Sequence, residues 1–106
     1  MQNLANQVLA DLGSGLHVDR DVDLHMDMNY YAPGYEQPNE KASEAIKMLA
    51  RLEGLFVDPV YTGKALAGLI DHIRTGKVEQ GSNVVFWHTG GATALFAEQQ
   101  MLGDIF

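Results

Sequence analysis

The sequence predicts an α/β fold in a single domain, and two strand-like patterns set among helical ones carry this prediction. Residues 84–87 form a continuous apolar, β-rich run between helical patterns, which is typical of a parallel strand covered on both faces. Apolar side chains at alternate positions of residues 16–29 indicate a second, half-buried strand. The spacing of apolar residues elsewhere follows the period of amphipathic helices.

Composition narrows the possible partners and compartments. The chain has 106 residues, and its 14 acidic and 7 basic residues give a net charge of −7. Nucleic acid and anionic membrane are therefore not expected as partners, because both need clustered lysine and arginine. Cysteine is absent, which excludes disulfides and cysteine zinc sites. No apolar stretch approaches a membrane span, and the cytoplasm is the expected compartment.

Four helical patterns are present, and their ends are marked by capping residues and glycines. A glycine inside the third pattern, Gly68, predicts close packing, because glycine in a helix interior is otherwise unfavourable. The predicted helices run over 2–12 with Gly13 as stop, from an N-cap at Asn39 to Gly54, from an N-cap at Thr62 to Gly76, and over 92–97 with a frayed tail to Phe106.

The polar positions of the 16–29 pattern have two interpretations. Asp21, Asp23, His25 and Asp27 would share one face of a strand, and carboxylates with imidazole can hold a metal. The same residues also suit the solvated face of an edge strand, where charge discourages aggregation. The second interpretation is favoured, and no metal is expected.

Three loops carry polar groups that suit a functional site. The rigid turn 58–64 places the Tyr61 phenol beside the Thr62 hydroxyl ahead of a helix. Within residues 30–38, Pro33 and Gly34 predict a type II turn. Residues 88–91, His-Thr-Gly-Gly, follow the predicted strand at its carboxyl end, where open α/β sheets bind ligands. The residues alone thus predict an α/β segment with a polar site at its loop ends, and they name no substrate.

These motifs together resemble a known family. Asp58–Lys64, read with Tyr31-Ala32-Pro33-Gly34-Tyr35 and His88-Thr89-Gly90-Gly91, is similar to the C-terminal part of the D-cysteine desulfhydrase and 1-aminocyclopropane-1-carboxylate deaminase family of pyridoxal-phosphate enzymes. The resemblance runs over about residues 1–97. It implies a three-layer tryptophan-synthase-β-like fold (type II), with residues 1–106 as one segment of the large, cofactor-binding domain, and a homodimeric parent acting on a small amino acid.

The resemblance also implies site residues. Tyr35 and Tyr61 match the tyrosines beside the cofactor and substrate, and Thr62, Thr89 and Gly90 match cofactor-binding positions. The deaminase branch has glutamate and leucine where this chain has the two threonines. A neutral hydroxyl at the pyridine nitrogen gives a weaker electron sink than a carboxylate does, which suffices when thiolate leaves. β-Elimination of D-cysteine to pyruvate, sulfide and ammonia is therefore expected, with the cyclopropane deaminase as the alternative.

One departure from the family bears on activity. The family's Schiff-base lysine, its neighbouring serine and its phosphate loop are expected upstream of the first residue of this chain. None of the four lysines present matches the Schiff-base motif, and Lys64 is simply the residue after Gly63. Alone the chain is expected to be inactive. A non-catalytic remnant that serves as an interaction module is a further alternative.

Overall fold

The computed structural model describes residues 1–34, 37 and 39–98, in which turns and extended segments join five α-helices. Two of these helices, α3 and α4, pack against each other and form the centre of the structure. The helices are α1 (Gln2–Asp11), α2 (Arg20–Asp23), α3 (Glu40–Glu53), α4 (Thr62–Arg74) and α5 (Ala92–Ala97).

Helix α3 has the ends that the sequence predicts. The Asn39 side chain accepts a hydrogen bond of 2.9 Å from the Ala42 backbone N–H, and Gly54 closes the helix with φ of 66°. Leu52 follows the apolar spacing of the buried face of α3, but it is 73% exposed. The core contains small and branched side chains from both central helices and the segments after them: Ala45, Ile46, Val57, Leu66, Ala67 and Leu95.

Two glycines of α4 allow close approach, as predicted for one of them. A Cβ on Gly68 would lie 3.1–3.4 Å from the Tyr30 ring, so the absence of a side chain lets the ring lie against the helix. A Cβ on Gly63 would lie 2.9 Å from Ile46 of α3 and 2.5 Å from the Asp58 carbonyl oxygen. Glycine at position 63 therefore lets the start of α4 approach both α3 and the preceding turn.

The predicted strand over 16–29 is wrong, because local hydrogen bonds replace it. The Asn6 side chain binds both backbone groups of Val18, accepting from its N–H at 2.7 Å and donating to its carbonyl at 3.0 Å. Asp19 then caps helix α2 by accepting from the Asp21 N–H, and Asp23 accepts in return from the Asp19 N–H. Short acidic side chains compete with a strand ladder in this way.

The predicted strand over 84–87 is also absent from the described residues. Val85 and Trp87 are 85% and 81% exposed, whereas Phe86 packs against the core. A strand needs a neighbour that completes its ladder, and the described part of the chain offers this segment no such backbone partner. Val84 is also exposed, so Phe86 is the one side chain of residues 84–87 that packs against the core.

The bounds of helices α1 and α5 agree closely with the sequence prediction, whereas the predicted turn at Pro33 and Gly34 does not. Helix α1 ends one residue earlier than predicted, with Gly13 at φ of 68°, and α5 has the predicted bounds. The type II turn at Pro33 and Gly34 is wrong, because Gly34 lacks the positive φ that this turn requires at its second central residue. The expected tail from 99 to Phe106 lies outside the described residues. No helix in the described ranges is long and apolar enough to cross a membrane.

Candidate functional site

The Asp58 carboxylate organises the turn before α4. It is 1% exposed, and Oδ1 accepts hydrogen bonds of 2.7 Å from the backbone N–H groups of Val60 and Tyr61. Oδ2 accepts from the Thr62 N–H at 3.0 Å and from the Thr62 hydroxyl at 2.6 Å. N–H groups at the start of a helix have no intrahelical partner, and this side chain satisfies them.

The prediction of Thr62 as the N-cap of α4 is therefore wrong. Thr62 is the first helical residue, the cap position is Tyr61, and the capping carboxylate comes from Asp58, four residues before Thr62. The reason is geometric, since the proline-directed turn folds Asp58 back over the helix start. The Gly63 N–H donates to the Asp58 carbonyl at 2.7 Å, which closes the turn.

The hydrogen bonds keep Asp58 charged. Burial acts to raise the pKa of its carboxyl, but the hydroxyl and backbone donors of Thr62, Tyr61 and Val60 outweigh that effect and lower the pKa below its ordinary value. The buried charge is thus matched by four hydrogen-bond donors.

The loop 88–91 is held by its histidine. His88 Nε2 lies 2.7 Å from the Phe56 carbonyl oxygen, and the Gly90 N–H lies 3.0 Å from Nδ1. A carbonyl only accepts and an amide N–H only donates, so the proton is on Nε2 and Nδ1 carries the lone pair. The imidazole therefore connects the loop to the segment before Asp58.

The turn 58–64 and the loop 88–91 contact each other. Thr62 Oγ1 lies 3.3 Å from the Gly90 carbonyl oxygen. Gly91, with φ of 102°, lies directly against Asp58, and a Cβ there would be 2.6 Å from the carboxyl carbon. This contact requires glycine at position 91, both for space and for its backbone conformation.

The side chain of Thr89 differs from that of Thr62. Thr62 is 4% exposed, and its hydroxyl donates to Asp58 while accepting from the Asp58 N–H at 2.9 Å. Thr89 is exposed, and its hydroxyl has no hydrogen bond to another described residue. Next to it, Gly90 has φ of 107° and open space around the position of a Cβ. The hydroxyl available to a ligand on this loop is that of Thr89.

The predicted tyrosines can be placed only in part. Tyr61 is 61% exposed on the turn that Asp58 organises, so its phenol is accessible from solvent. Tyr35 lies outside the described residues. The structure thus brings Thr62, Gly90 and the Tyr61 backbone together, and it leaves Thr89 exposed on the second loop.

Sequence reasoning missed the role of Lys64. This side chain is 6% exposed in the first turn of α4, and its ammonium donates to the carbonyls of Gly34 at 2.7 Å and Tyr31 at 3.3 Å. The ammonium also lies 5.8 Å from the centre of the Tyr31 ring. A signal was present in the sequence, because a cation at a helix N-terminus opposes the helix dipole and needs specific acceptors.

The metal-site interpretation of the acidic stretch finds no support in the geometry. The ranges that the structure describes contain no group of three or more histidine or carboxylate side chains able to hold a metal ion. Asp27 instead accepts from the Asn29 N–H and pairs with His72 at 2.9 Å. Because Arg20–Asp23 is helical, the predicted alternation on one face does not occur.

Comparison with known proteins defines the class to which this site belongs. The sequence model of the pyridoxal-phosphate-dependent enzyme family matches residues 3–90, so the chain belongs to that family. Membership implies the type II fold of these enzymes and pyridoxal phosphate as the cofactor.

More specific similarity is to D-cysteine desulfhydrases. The chain is 55% identical over 76 residues to those of Salmonella typhi, Salmonella newport and Salmonella enteritidis. Each match covers 72% of this chain and 23% of the relative. The chain therefore matches about a quarter of the length of these relatives.

Proposed function

We propose that this chain supplies the ring side of a pyridoxal-phosphate site that carries out β-elimination of D-cysteine. With one water, the reaction gives pyruvate, hydrogen sulfide and ammonia. The observation that carries the proposal is the meeting of the Asp58–Thr62 turn with the 88–91 loop, which presents a neutral hydroxyl at Thr89. The similarity to desulfhydrases supports the same substrate class.

The residues present fit the ring of the cofactor. Thr89 offers an uncharged hydroxyl, and the open space beside Gly90 allows a flat ring to approach the backbone. The phosphate does not fit the start of α4, because Asp58 already occupies the N–H groups of Tyr61 and Thr62. These residues therefore suit the ring and not the phosphate.

We assign the ring nitrogen to Thr89 and a supporting role to Thr62. The proton of the Thr62 hydroxyl is donated to Asp58, and one of its lone pairs accepts from the Asp58 N–H. The Thr89 hydroxyl has neither commitment, so it can bind a nitrogen of the ligand. Gly90 connects the loop of Thr89 to Thr62, since its carbonyl lies next to the Thr62 hydroxyl and its N–H donates to His88.

The neutral partner favours elimination of a good leaving group. When bound, pyridoxal phosphate supplies an electron-accepting ring to the amino acid. A hydroxyl at the ring nitrogen stabilises the protonated ring less than a carboxylate would, which suffices for loss of thiolate and suits cyclopropane opening less well. In this chain the Thr89 hydroxyl orients the ring, and the exposed Tyr61 phenol is placed to hold or transfer a proton at its oxygen. Tyr35 is proposed as the second phenol of the site.

The complete reaction needs groups beyond this chain. Lys64 is bound to two backbone carbonyls, so its ammonium already serves the structure. We propose that the chain alone is inactive, and that the complete enzyme is a cytoplasmic homodimer acting on a small amino acid without nucleic-acid or membrane partners. We also propose that residues 1–106 form one segment of the large, cofactor-binding domain.

A hybrid enzyme tests the proposed function. In the desulfhydrase of Salmonella typhi, the segment that this chain matches is replaced by the corresponding residues of this chain, and sulfide and pyruvate are measured with D-cysteine. The proposal expects sulfide and pyruvate in equal amounts, with a large loss of activity in Thr89→Val. A hybrid that folds and binds pyridoxal phosphate but yields neither product would contradict it.

The deaminase alternative is tested in the same hybrid. Thr62→Glu with Thr89→Leu removes the neutral hydroxyl assigned to the ring nitrogen and adds a longer carboxylate from the neighbouring turn. This double variant should lower activity on D-cysteine and raise activity on 1-aminocyclopropane-1-carboxylate. Unchanged preference in this double variant would remove the basis for choosing the elimination. Preference of the unmodified hybrid for the cyclopropane substrate would favour the deaminase, and a hybrid without either activity would favour a non-catalytic remnant.

A further inference from the structure

Asp58 contacts both loops of the candidate site, although it is shielded from any ligand. Its carboxylate accepts four hydrogen bonds from the turn that carries Tyr61 and Thr62. Its Cβ, Cγ and Oδ2 atoms also fill the space where Gly91 of the second loop has no side chain. With 1% of its surface exposed, the residue lies behind the site.

The Thr62 hydroxyl lies between Asp58 and the second loop. A hydroxyl has one proton, and here two acceptors compete for it: Asp58 Oδ2 at 2.6 Å and the Gly90 carbonyl at 3.3 Å. The shorter contact to a charged oxygen takes the proton. The Gly90 carbonyl therefore lies beside a hydroxyl whose direction is fixed by Asp58.

We infer that Asp58 is the positioning residue for Thr89. It sets the place of the 88–91 loop by packing against Gly91 and by orienting the Thr62 hydroxyl beside Gly90. The inference rests on the proposed role of Thr89, but the positioning itself is a property of the chain without cofactor. His88 fixes the other end of the loop through Phe56, so removal of Asp58 leaves the loop attached but displaced.

Asparagine at position 58 has nearly the same size as aspartate, but it would disturb the hydrogen bonds around Thr62. The amide oxygen can replace Oδ1 for Val60 and Tyr61, but the amide NH2 group would face the N–H of Thr62. The same NH2 group would donate to the Thr62 hydroxyl, whose proton would then turn toward the Gly90 carbonyl. Asp58→Asn therefore reverses the hydrogen bond that orients Thr62.

The test compares Asp58→Asn with Asp71→Asn in the full chain without cofactor. Asp71 lies in α4 and is a matched control, because it also accepts a hydrogen bond from a side-chain hydroxyl, that of Tyr30. We expect Asp58→Asn to shift the amide NMR signals of Thr89, Gly90 and Gly91 and to speed amide exchange at Thr62 by about tenfold. The signals of Ala45 and Ile46 in the core should stay in place.

The inference is overturned if the signals of Thr89–Gly91 move no further in Asp58→Asn than in Asp71→Asn. If Asp58→Asn does not fold, Thr62→Val and Thr62→Ser give the same test. Valine removes the hydroxyl and should displace the loop signals, whereas serine retains the hydroxyl and should leave them near their original positions. Equal displacement by valine and serine would also overturn it.

Addition of pyridoxal phosphate separates the inference from the proposed function. The unmodified hybrid enzyme described above should bind the cofactor with a shift at Thr89, and Asp58→Asn in that hybrid should weaken the shift. If the loop signals are displaced in the chain but Thr89 does not respond to the cofactor in the hybrid, Asp58 remains a positioning residue and the assigned role of Thr89 is rejected. An unmoved loop in the chain rejects the positioning role whatever the cofactor does.

Discussion

The Lys64 ammonium lies 2.7 Å from the carbonyl oxygen of Gly34, and this contact fastens the 30–34 segment to the first turn of α4. The same ammonium reaches the Tyr31 carbonyl. A buried lysine in the first turn of a helix lies at the unfavourable end of the helix dipole. The two carbonyl acceptors bind the ammonium at this end of the helix, which makes Lys64 a structural cation of the candidate site.

Replacement of Lys64 should therefore destabilise the chain. Lys64→Met leaves the buried Gly34 carbonyl without its donor, and we expect a loss of about 1–3 kcal/mol in the free energy of unfolding, measured with urea. Lys41→Met is the control, because Lys41 is exposed and pairs with Asp71 at 3.4 Å, and its loss should be below about 1 kcal/mol. Equal losses in the two variants would contradict the structural role of Lys64.

The charge of Asp58 should appear in the pH dependence of stability. The carboxyl has a pKa lowered below its ordinary value of 3.8, because the donors of Thr62, Tyr61 and Val60 outweigh burial, which acts to raise it. The folded state binds the proton more weakly than the unfolded state, so the stabilisation is complete above the ordinary value. It is lost as the pH falls through the lowered pKa of the folded state.

The measurement is urea unfolding of the chain and of Asp58→Asn at a series of pH values. The difference in their free energies of unfolding should be constant above the ordinary carboxyl pKa and should shrink below it. Asp27, Glu44 and Asp71 also have lowered pKa values, but both proteins share them, so their effect cancels in the difference. A difference that does not change with pH would show that Asp58 titrates normally.

The Tyr30 phenol should ionise at an unusually high pH. Its phenol donates a hydrogen bond of 2.5 Å to Asp71, and this bond, with burial and the charges of Asp71 and Asp27, raises the pKa of Tyr30 to about 12. An ultraviolet difference titration should show this late phase, and Asp71→Asn should move it toward the ordinary value of 10.0. A late phase that persists in Asp71→Asn would be inconsistent with this cause.

The raised pKa of the Tyr30 phenol also makes the stability of the chain depend on pH in the alkaline range. Because the folded state holds the phenol proton more strongly, the stabilisation is complete below pH 10.0 and is lost as the pH rises through about 12.

Gly68→Ala should change the free energy of unfolding in the direction opposite to the usual effect of replacing glycine by alanine in a helix. Alanine for glycine in a helix interior ordinarily stabilises by about 1 kcal/mol. Here the added Cβ would lie 3.1 Å from the Tyr30 ring, which is held by its bond to Asp71, so we expect Gly68→Ala to destabilise by about 1 kcal/mol. In a Tyr30→Ala background the same change should stabilise. Urea unfolding of the four proteins measures both signs, and stabilisation in both backgrounds would refute the close contact.

The sequence predicts the central helices and the site loops because their signals are local. Asn39 and Gly54 bound α3 through side-chain and backbone preferences that need no distant partner. The same applies to the turn after Pro59 and to the open backbone at Gly90. The positions of Tyr61 and Thr89 on exposed loops follow from these local features.

The failed predictions depend on interactions that periodicity does not encode. The pattern over 16–29 has the period of a strand, but the Asn6 amide and the Asp19 carboxylate bind its backbone first. The run at 84–87 has the composition of a strand, and the part of the chain that the structure describes contains no neighbour to pair with it. Strand formation is a property of two segments, whereas the pattern describes one.

The central role of Asp58 was hidden for a different reason. Its identity suggests a turn residue, and only the structure shows that the chain folds back so that the carboxylate reaches Thr62 and Gly91. Lys64 likewise makes contacts 30 and 33 residues away. Such contacts follow from tertiary geometry, which a single sequence does not display.

The two bonds of His88 have a consequence for chemical labelling. Nδ1 carries the only lone pair of the ring, and that lone pair is engaged by the Gly90 N–H, while Nε2–H is donated to Phe56. An acylating reagent needs the lone pair, so it can attack His88 only after the Gly90 contact opens. The exposed imidazole is thus chemically protected, and its rate of acylation would report how often the loop beside Thr89 opens.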